Sequence, residues 1–85
     1  MNKLEQEIID IIAEEAALDK NEIELDSNLY DLGIDSLSSL EILVALEERY
    51  GIRISQKRLR KINNIRDIIR VVSGELENKG TSRAT

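Results

Sequence analysis

Ser36-Leu37-Ser38-Ser39-Leu40-Glu41-Ile42-Leu43-Val44-Ala45-Leu46-Glu47-Glu48-Arg49-Tyr50 is the stretch whose reading decides the fold. Its apolar residues recur at helical spacing, and Gly51 supplies a stop at the C-terminal end. Ser36 or Asp35 can cap its start, and Ser38 with Glu41 has capping-box spacing. Wound at about 100° per residue, the helix sorts its apolar residues into two sectors. Ile42, Leu43, Leu46 and Tyr50 fall within about 100° of one another, the width of an ordinary core stripe. Leu37, Leu40 and Val44 occupy another sector about 60° wide, flanked by Glu41, Glu47 and Glu48. A helix in a bundle of 85 residues seldom buries two opposed faces. An apolar strip edged by acids has the composition of a docking surface. The plainer alternative packs Leu37 and Leu40 beneath the preceding loop.

Outward from this helix the pattern stays helical. Lys3 to Ala17 carries Leu4, Ile8, Ile11, Ile12 and Ala16 at helical spacing, which predicts a first helix. Residues 18–35 lose that period and hold single apolar anchors, Leu25, Leu29, Leu32 and Ile34, among Asn, Asp, Ser and Gly. A loop of this length inside a small domain is uncommon and usually functional. Beyond Gly51, Ser55 to Lys61 has room for one or two turns. Asn64 followed by Asp67 reads as the cap of a last helix bearing Ile65, Ile68, Ile69, Val72 and Leu76 on one stripe. The expected architecture is all-α: a small four-helix bundle with three longer helices, one short third helix and a long loop between helices 1 and 2. Residues 1–77 form the domain, and residues 78–85 are expected to be a disordered polar tail.

Composition narrows the chemistry. The chain has neither Cys nor His, which excludes disulfides, thiolate metal sites and imidazole catalysis. No apolar run approaches the roughly 18 residues of a membrane span, and acids interrupt the N-terminal residues where a signal peptide is apolar. The expectation is a soluble cytoplasmic monomer without a metal site. The net charge of −5 conceals an asymmetry. Residues 1–48 hold 14 acids and 2 bases, whereas residues 49–70 hold 8 bases and one acid, Asp67. The acidic half repels nucleic acid and attracts basic surfaces.

The loop ends in Asp31-Leu32-Gly33-Ile34-Asp35-Ser36-Leu37, at the mouth of the two-faced helix. A serine there is exposed beside the unpaired N–H groups of the first turn. A phosphate esterified to it would lie at the favourable end of the helix dipole. Gly33 permits a tight turn and leaves room for an approaching enzyme. Asp35 sets a carboxylate beside the hydroxyl, where it can help position a metal-bound phosphate donor. Judged from local sequence alone, the plainer reading prevails, in which Asp35 and Ser36 merely cap the helix.

Leu32-Gly33-Ile34-Asp35-Ser36-Leu37 resembles the Leu-Gly-x-Asp-Ser-Leu motif of acyl carrier proteins. The resemblance runs from about Lys3 to Glu77 and includes Asp26-Ser27-Asn28-Leu29, Glu41, Ala45-Leu46-Glu47-Glu48, Tyr50-Gly51-Ile52 and Ile54. It implies a 4′-phosphopantetheine arm, derived from coenzyme A, on Ser36, with acyl groups held as thioesters on its thiol. It also implies a non-enzymatic role. The expected partners are a phosphopantetheinyl transferase and acyl-transfer and chain-elongation enzymes with basic docking surfaces. The surface they read would be Leu37, Leu40, Glu41, Val44, Glu47 and Glu48.

The segment Ser55-Gln56-Lys57-Arg58-Leu59-Arg60-Lys61 departs from the resemblance, because carriers of fatty acid synthesis are typically acidic there, and Ser38 stands where an acid is common. A basic segment would repel a basic partner locally and select another. This favours a specialised carrier in fatty acid, polyketide or lipid biosynthesis. The basic segment is expected near the C-terminal half of the second helix, either neutralising Glu47 and Glu48 or presenting a positive patch, with Leu59 turned inward; the plainer alternative, which holds for most charge runs, is a solvated face. Two alternatives stay open: an aminoacyl or peptidyl carrier, which usually shows Gly-Gly-x-Ser at this place and against which Ile34-Asp35 speaks, and a helical interaction module that does not use the arm. Other readings fail. An EF-hand loop begun at Asp26 meets Tyr30, Asp31 and Leu37 where it needs a polar ligand, Gly and Glu. The basic segment has no aromatic on which a base could stack. Ser36 has no His or nearby lysine base, and the domain is too small for a deep cleft.

Overall fold

A computed structural model describes the backbone of residues 2–84 and the side-chain surroundings of residues 2–79. Among the described residues four helices follow one another: α1 (Lys3–Ala16), α2 (Ser36–Tyr50), the short α3 (Gln56–Leu59) and α4 (Ile65–Ala84). A single 3₁₀ turn, Lys20–Glu22, interrupts the long loop. Among the described residues there is no strand, only an isolated bridge between Asn28 and Asn64. The fold is the expected all-α bundle.

Each helix start is built from local polar groups. Asn2 caps α1: its side chain accepts the Glu5 N–H at 2.8 Å, and the Glu5 carboxylate accepts the Asn2 N–H at 2.9 Å. Asn64 and Asp67 cap α4 by the same exchange, the Asn64 side chain accepting the Asp67 N–H at 2.9 Å. Ala17, expected as the last residue of α1, is instead its left-handed cap at φ 55°, a conformation that costs a non-glycine residue about 1 kcal/mol. α2 stops at Gly51, φ 62°, as its sequence requires.

The core joins Ile8, Ile9, Ile12 and Ala13 of α1, Ile42 and Leu46 of α2, and Ile65, Ile68, Ile69 and Val72 of α4. Ile9 and Ala13 were not in the expected α1 stripe. They are buried because α1 packs against both α2 and α4, which widens its covered face. Leu43, Tyr50 and Leu76 pack at the edge of this core. At the far end of α2 the Tyr50 hydroxyl donates to Glu7 at 2.9 Å, and Arg49 lies 3.9 Å from the same carboxylate.

The long loop is held more firmly than isolated anchors imply. Ile23 and Ile34 are buried, and Leu25, Leu29 and Leu32 pack against the core. Its backbone also bonds to the start of α4. The Leu29 N–H donates to Asn63 O at 3.0 Å, Ile65 N–H to Ser27 O at 3.1 Å, and Arg66 N–H to Leu25 O at 2.8 Å. The last two satisfy orphan donors of the first turn of α4. The segment expected as a disordered tail instead continues α4, whose backbone is helical as far as Ala84, and the Lys79 ammonium donates to the Tyr50 carbonyl at 3.3 Å. The side chains of residues 80–85 lie outside the described residues.

Candidate functional site

The approach to Ser36 is assembled over three consecutive residues, Gly33, Ile34 and Asp35. Tyr30 O accepts the Gly33 N–H at 3.0 Å, closing a turn that Gly33 completes at φ 79°. A Cβ on Gly33 would meet nothing within 4 Å, so the space beside it is open. Ile34, buried to 7% exposure, then fixes the chain to the core. Asp35 caps α2: its carboxylate accepts the Ser38 N–H at 2.8 Å, and its carbonyl accepts the Ser39 N–H at 2.9 Å. Glu41 takes no part, so the capping box expected from Ser38 and Glu41 does not form. Bonding to the Ser38 N–H, and then to the Ser38 hydroxyl, holds the Asp35 carboxyl below its ordinary value. The cap bond thus favours the ionised form of this carboxylate.

Since Asp35 does the capping, Ser36 is released from it. Ser36 is exposed, and its hydroxyl has no hydrogen-bond partner among the described residues. It stands at the first residue of α2, where a phosphoester oxygen meets the positive end of the helix dipole. The structure thus separates two residues that local sequence left interchangeable.

Behind Ser36 lies a partly open cavity of about 410 Å³. Leu43 and Leu46 of α2, Ile54, Leu59 of α3, Ile62 and Ile68 of α4 wall it, and the exposed Asp35, Ser36 and Ser39 stand at its rim. Such a lining admits an apolar chain and offers a polar group nothing to bond along its walls. The cavity unites residues of α2, α3 and α4 with residues of the connections between them, and sequence reasoning did not find it. Its one local signal is Ser39, a polar residue in the same sector of α2 as Ile42, Leu43 and Leu46.

The second apolar sector of α2 is open. Leu37, Leu40 and Val44 are 65%, 55% and 44% exposed, so they are not packed beneath the loop. Glu41 and Glu48, both exposed, edge them, and a shallow hollow extends from Leu40 and Val44 to Glu15 of α1. Glu47 differs from the other two acids. It is half-buried, and its carboxylate accepts the Ile54 N–H at 2.9 Å, bracing the turn out of α2. Its work is inside the molecule, a contact seven residues distant that helical sectors cannot reveal. The basic segment does not neutralise Glu47 or Glu48. Arg58 pairs instead with Glu75 of α4 at 2.8 Å, and Leu59 turns inward as expected.

Comparison with known proteins bears on the same segment. Residues 6–72 match the family described as phosphopantetheine attachment site. The chain is 36% identical over 74 residues to an acyl carrier protein of Phytoplasma mali (strain AT), covering 86% of this chain and 88% of that one. It is 38% identical over 72 residues to an acyl carrier protein of Rickettsia massiliae (strain Mtu5), covering 84% of each. An acyl carrier protein of Campylobacter hominis is 32% identical over 75 residues, with 87% of this chain and 95% of the relative covered.

Proposed function

Because the chain belongs to the acyl carrier protein family, whose members are carriers rather than enzymes and bear a covalently attached 4′-phosphopantetheine, we propose that Ser36 is the attachment site. The observation that carries this reading is the exposed, unpartnered hydroxyl at the start of α2, beside a cap made by Asp35 and at the rim of an apolar cavity. When attached, the arm supplies a thiol on which acyl groups are held as thioesters. The protein's own residues do the rest. The first turn of α2 favours the phosphodiester electrostatically. Asp35, held ionised, helps orient a metal-bound phosphate donor during attachment. The missing side chain at Gly33 leaves a transferase room to approach. Leu43, Leu46 and Ile68 offer an acyl chain shelter from water.

The family works with a phosphopantetheinyl transferase and with acyl-handling enzymes. For this chain we take Leu37, Leu40 and Val44, with Glu41 and Glu48, as the surface those enzymes read, and a monomer in the cytoplasm as the working form. Among the described residues no helix is long and apolar enough to cross a membrane. The basic segment supports a specialised carrier, in fatty acid, polyketide or lipid biosynthesis, over a general one. The carrier unit on this reading is residues 1–77.

Incubation with coenzyme A, Mg²⁺ and a broad-specificity phosphopantetheinyl transferase should add the mass of one arm. Ser36→Ala should remain folded and gain nothing. Loading of the alanine variant at the parent rate would refute Ser36 as the site.

A further inference from the structure

The cations of the 53–61 segment divide into two kinds. Arg58 is committed to Glu75 and ties α3 to α4. Arg53, Lys57, Arg60 and Lys61 are exposed, and among the described residues their side chains join no ion pair or hydrogen bond. No acid interrupts these residues in the sequence. Their position matters as much as their charge. Leu59 of α3 and the adjoining Ile62 wall the cavity whose rim carries Ser36. Any surface seated over Ser36 therefore has α3 on one side and the acid-edged strip of α2 on the other.

We propose that Arg53, Lys57, Arg60 and Lys61 form a second docking face, and that the enzyme this carrier serves is basic where it meets α2 and acidic where it meets α3. The proposal rests on Ser36 being the loaded residue, since loading is what brings both faces to one partner. Charge complementarity selects a protein as the occupant. A uniformly anionic surface, whether a membrane or a nucleic acid, would gain at α3 and lose at Glu41 and Glu48. A uniformly basic enzyme would gain at α2 and be repelled at α3, so the four cations discriminate against it.

The test measures docking apart from transfer. In a Ser36→Ala background, the affinity for a transferase with a basic docking surface is read by calorimetry at about 20 mM and about 500 mM salt. Lys57→Glu/Arg60→Glu/Lys61→Glu is compared with the parent and with Lys3→Glu/Lys20→Glu/Arg70→Glu, which makes the same change in net charge on other parts of the surface. Arg58 is left in place because its ion pair is structural. The expected result is at least about fivefold tighter binding by the α3 variant than by either of the others at low salt, with the difference lost at high salt. Equal tightening by both triple variants would reduce the effect to net charge and overturn the proposal. So would an α3 variant that binds like the parent. Retention of the parent on phosphatidylglycerol vesicles or on a single-stranded oligonucleotide, abolished by the α3 reversal, would overturn it in favour of those surfaces. Loading of the parent at Ser36 is followed in parallel. Its absence defeats the carrier reading and this proposal together, whereas normal loading with unmoved affinities defeats this proposal alone.

Discussion

Truncating leucines on opposite faces of α2 should separate stability from recognition. Leu46 is 2% exposed and Leu40 is 55% exposed, and the change to alanine removes the same atoms from each. Leucine-to-alanine changes in cores cost about 2–5 kcal/mol, the spread reflecting the space left behind. Leu46 already borders the cavity, so the environment on that side changes little, and a loss of about 3 kcal/mol is expected. For a domain of this size each kcal/mol moves the melting temperature by about 4–8 °C, so Leu46→Ala should melt roughly 12–24 °C below the parent. At Leu40 more than half of the residue is already in water, and the expected cost is about 1 kcal/mol or less. Leu37, at 65% exposure, should lose less still. Partner docking should rank these variants in the opposite order. Leu37→Ala should weaken transferase binding by about tenfold, the equivalent of about 1.4 kcal/mol. Circular dichroism melts and urea midpoints give the first ranking, and calorimetric titration with the transferase gives the second. If Leu37→Ala or Leu40→Ala lowered the melting temperature as far as Leu46→Ala, those residues would be packing for the fold, and the docking strip would lose its basis.

Two titrations follow from the hydrogen bonds of α2. Burial first, and then the bond to Glu7, push the Tyr50 phenol up to about 12, so in a Tyr30→Phe background the phenolate absorbance should rise with a midpoint near that value. The neutral phenol is what the fold favours, so this contribution is whole below about pH 10 and is lost as pH climbs through about 12; Tyr50→Phe should erase that part of the alkaline loss of stability. For Asp35 the sign reverses, because its folded value lies below the ordinary 3.8. Its contribution is complete above that ordinary value and disappears as pH falls through the folded one, so Asp35→Asn should flatten the acid limb of the melting temperature measured between about pH 5 and pH 2; superimposable acid limbs would show that the cap bond is not made in solution.

Periodicity and caps made much of this molecule legible before any coordinates. The stripes of α1, α2 and α4 are read directly from residues such as Ile8, Leu46 and Val72, because one apolar face per helix is what a small core demands. The exposure of Leu37, Leu40 and Val44 was legible for the converse reason, since a second apolar sector has no partner in so small a bundle. What stayed hidden is non-local. Ile23 is 4% exposed although it sits alone in a loop without period, and nothing beside it signals burial. Glu47 looked like one more surface acid until the turn after α2 brought the Ile54 N–H to it. Asp35 and Ser36 were both plausible caps, and only backbone geometry chose between them. The Asn2 and Glu5 box could have been found, as Asn followed three residues later by Glu is a legible start signal.

The bonds between the long loop and the start of α4 also govern when the site comes into being. Leu25, Ser27 and Leu29 find their backbone partners at Arg66, Ile65 and Asn63, between 34 and 41 residues further along the chain. Pairings of that span carry a larger loop-closure cost than the contacts within a helix. During synthesis, the Ser36 segment leaves the ribosome well before the residues that hold its loop in place. A chain cut short before α4 still contains the whole serine motif but lacks the scaffold that aims it. Such a fragment presents Ser36 without the backbone bonds that hold its loop against the start of α4.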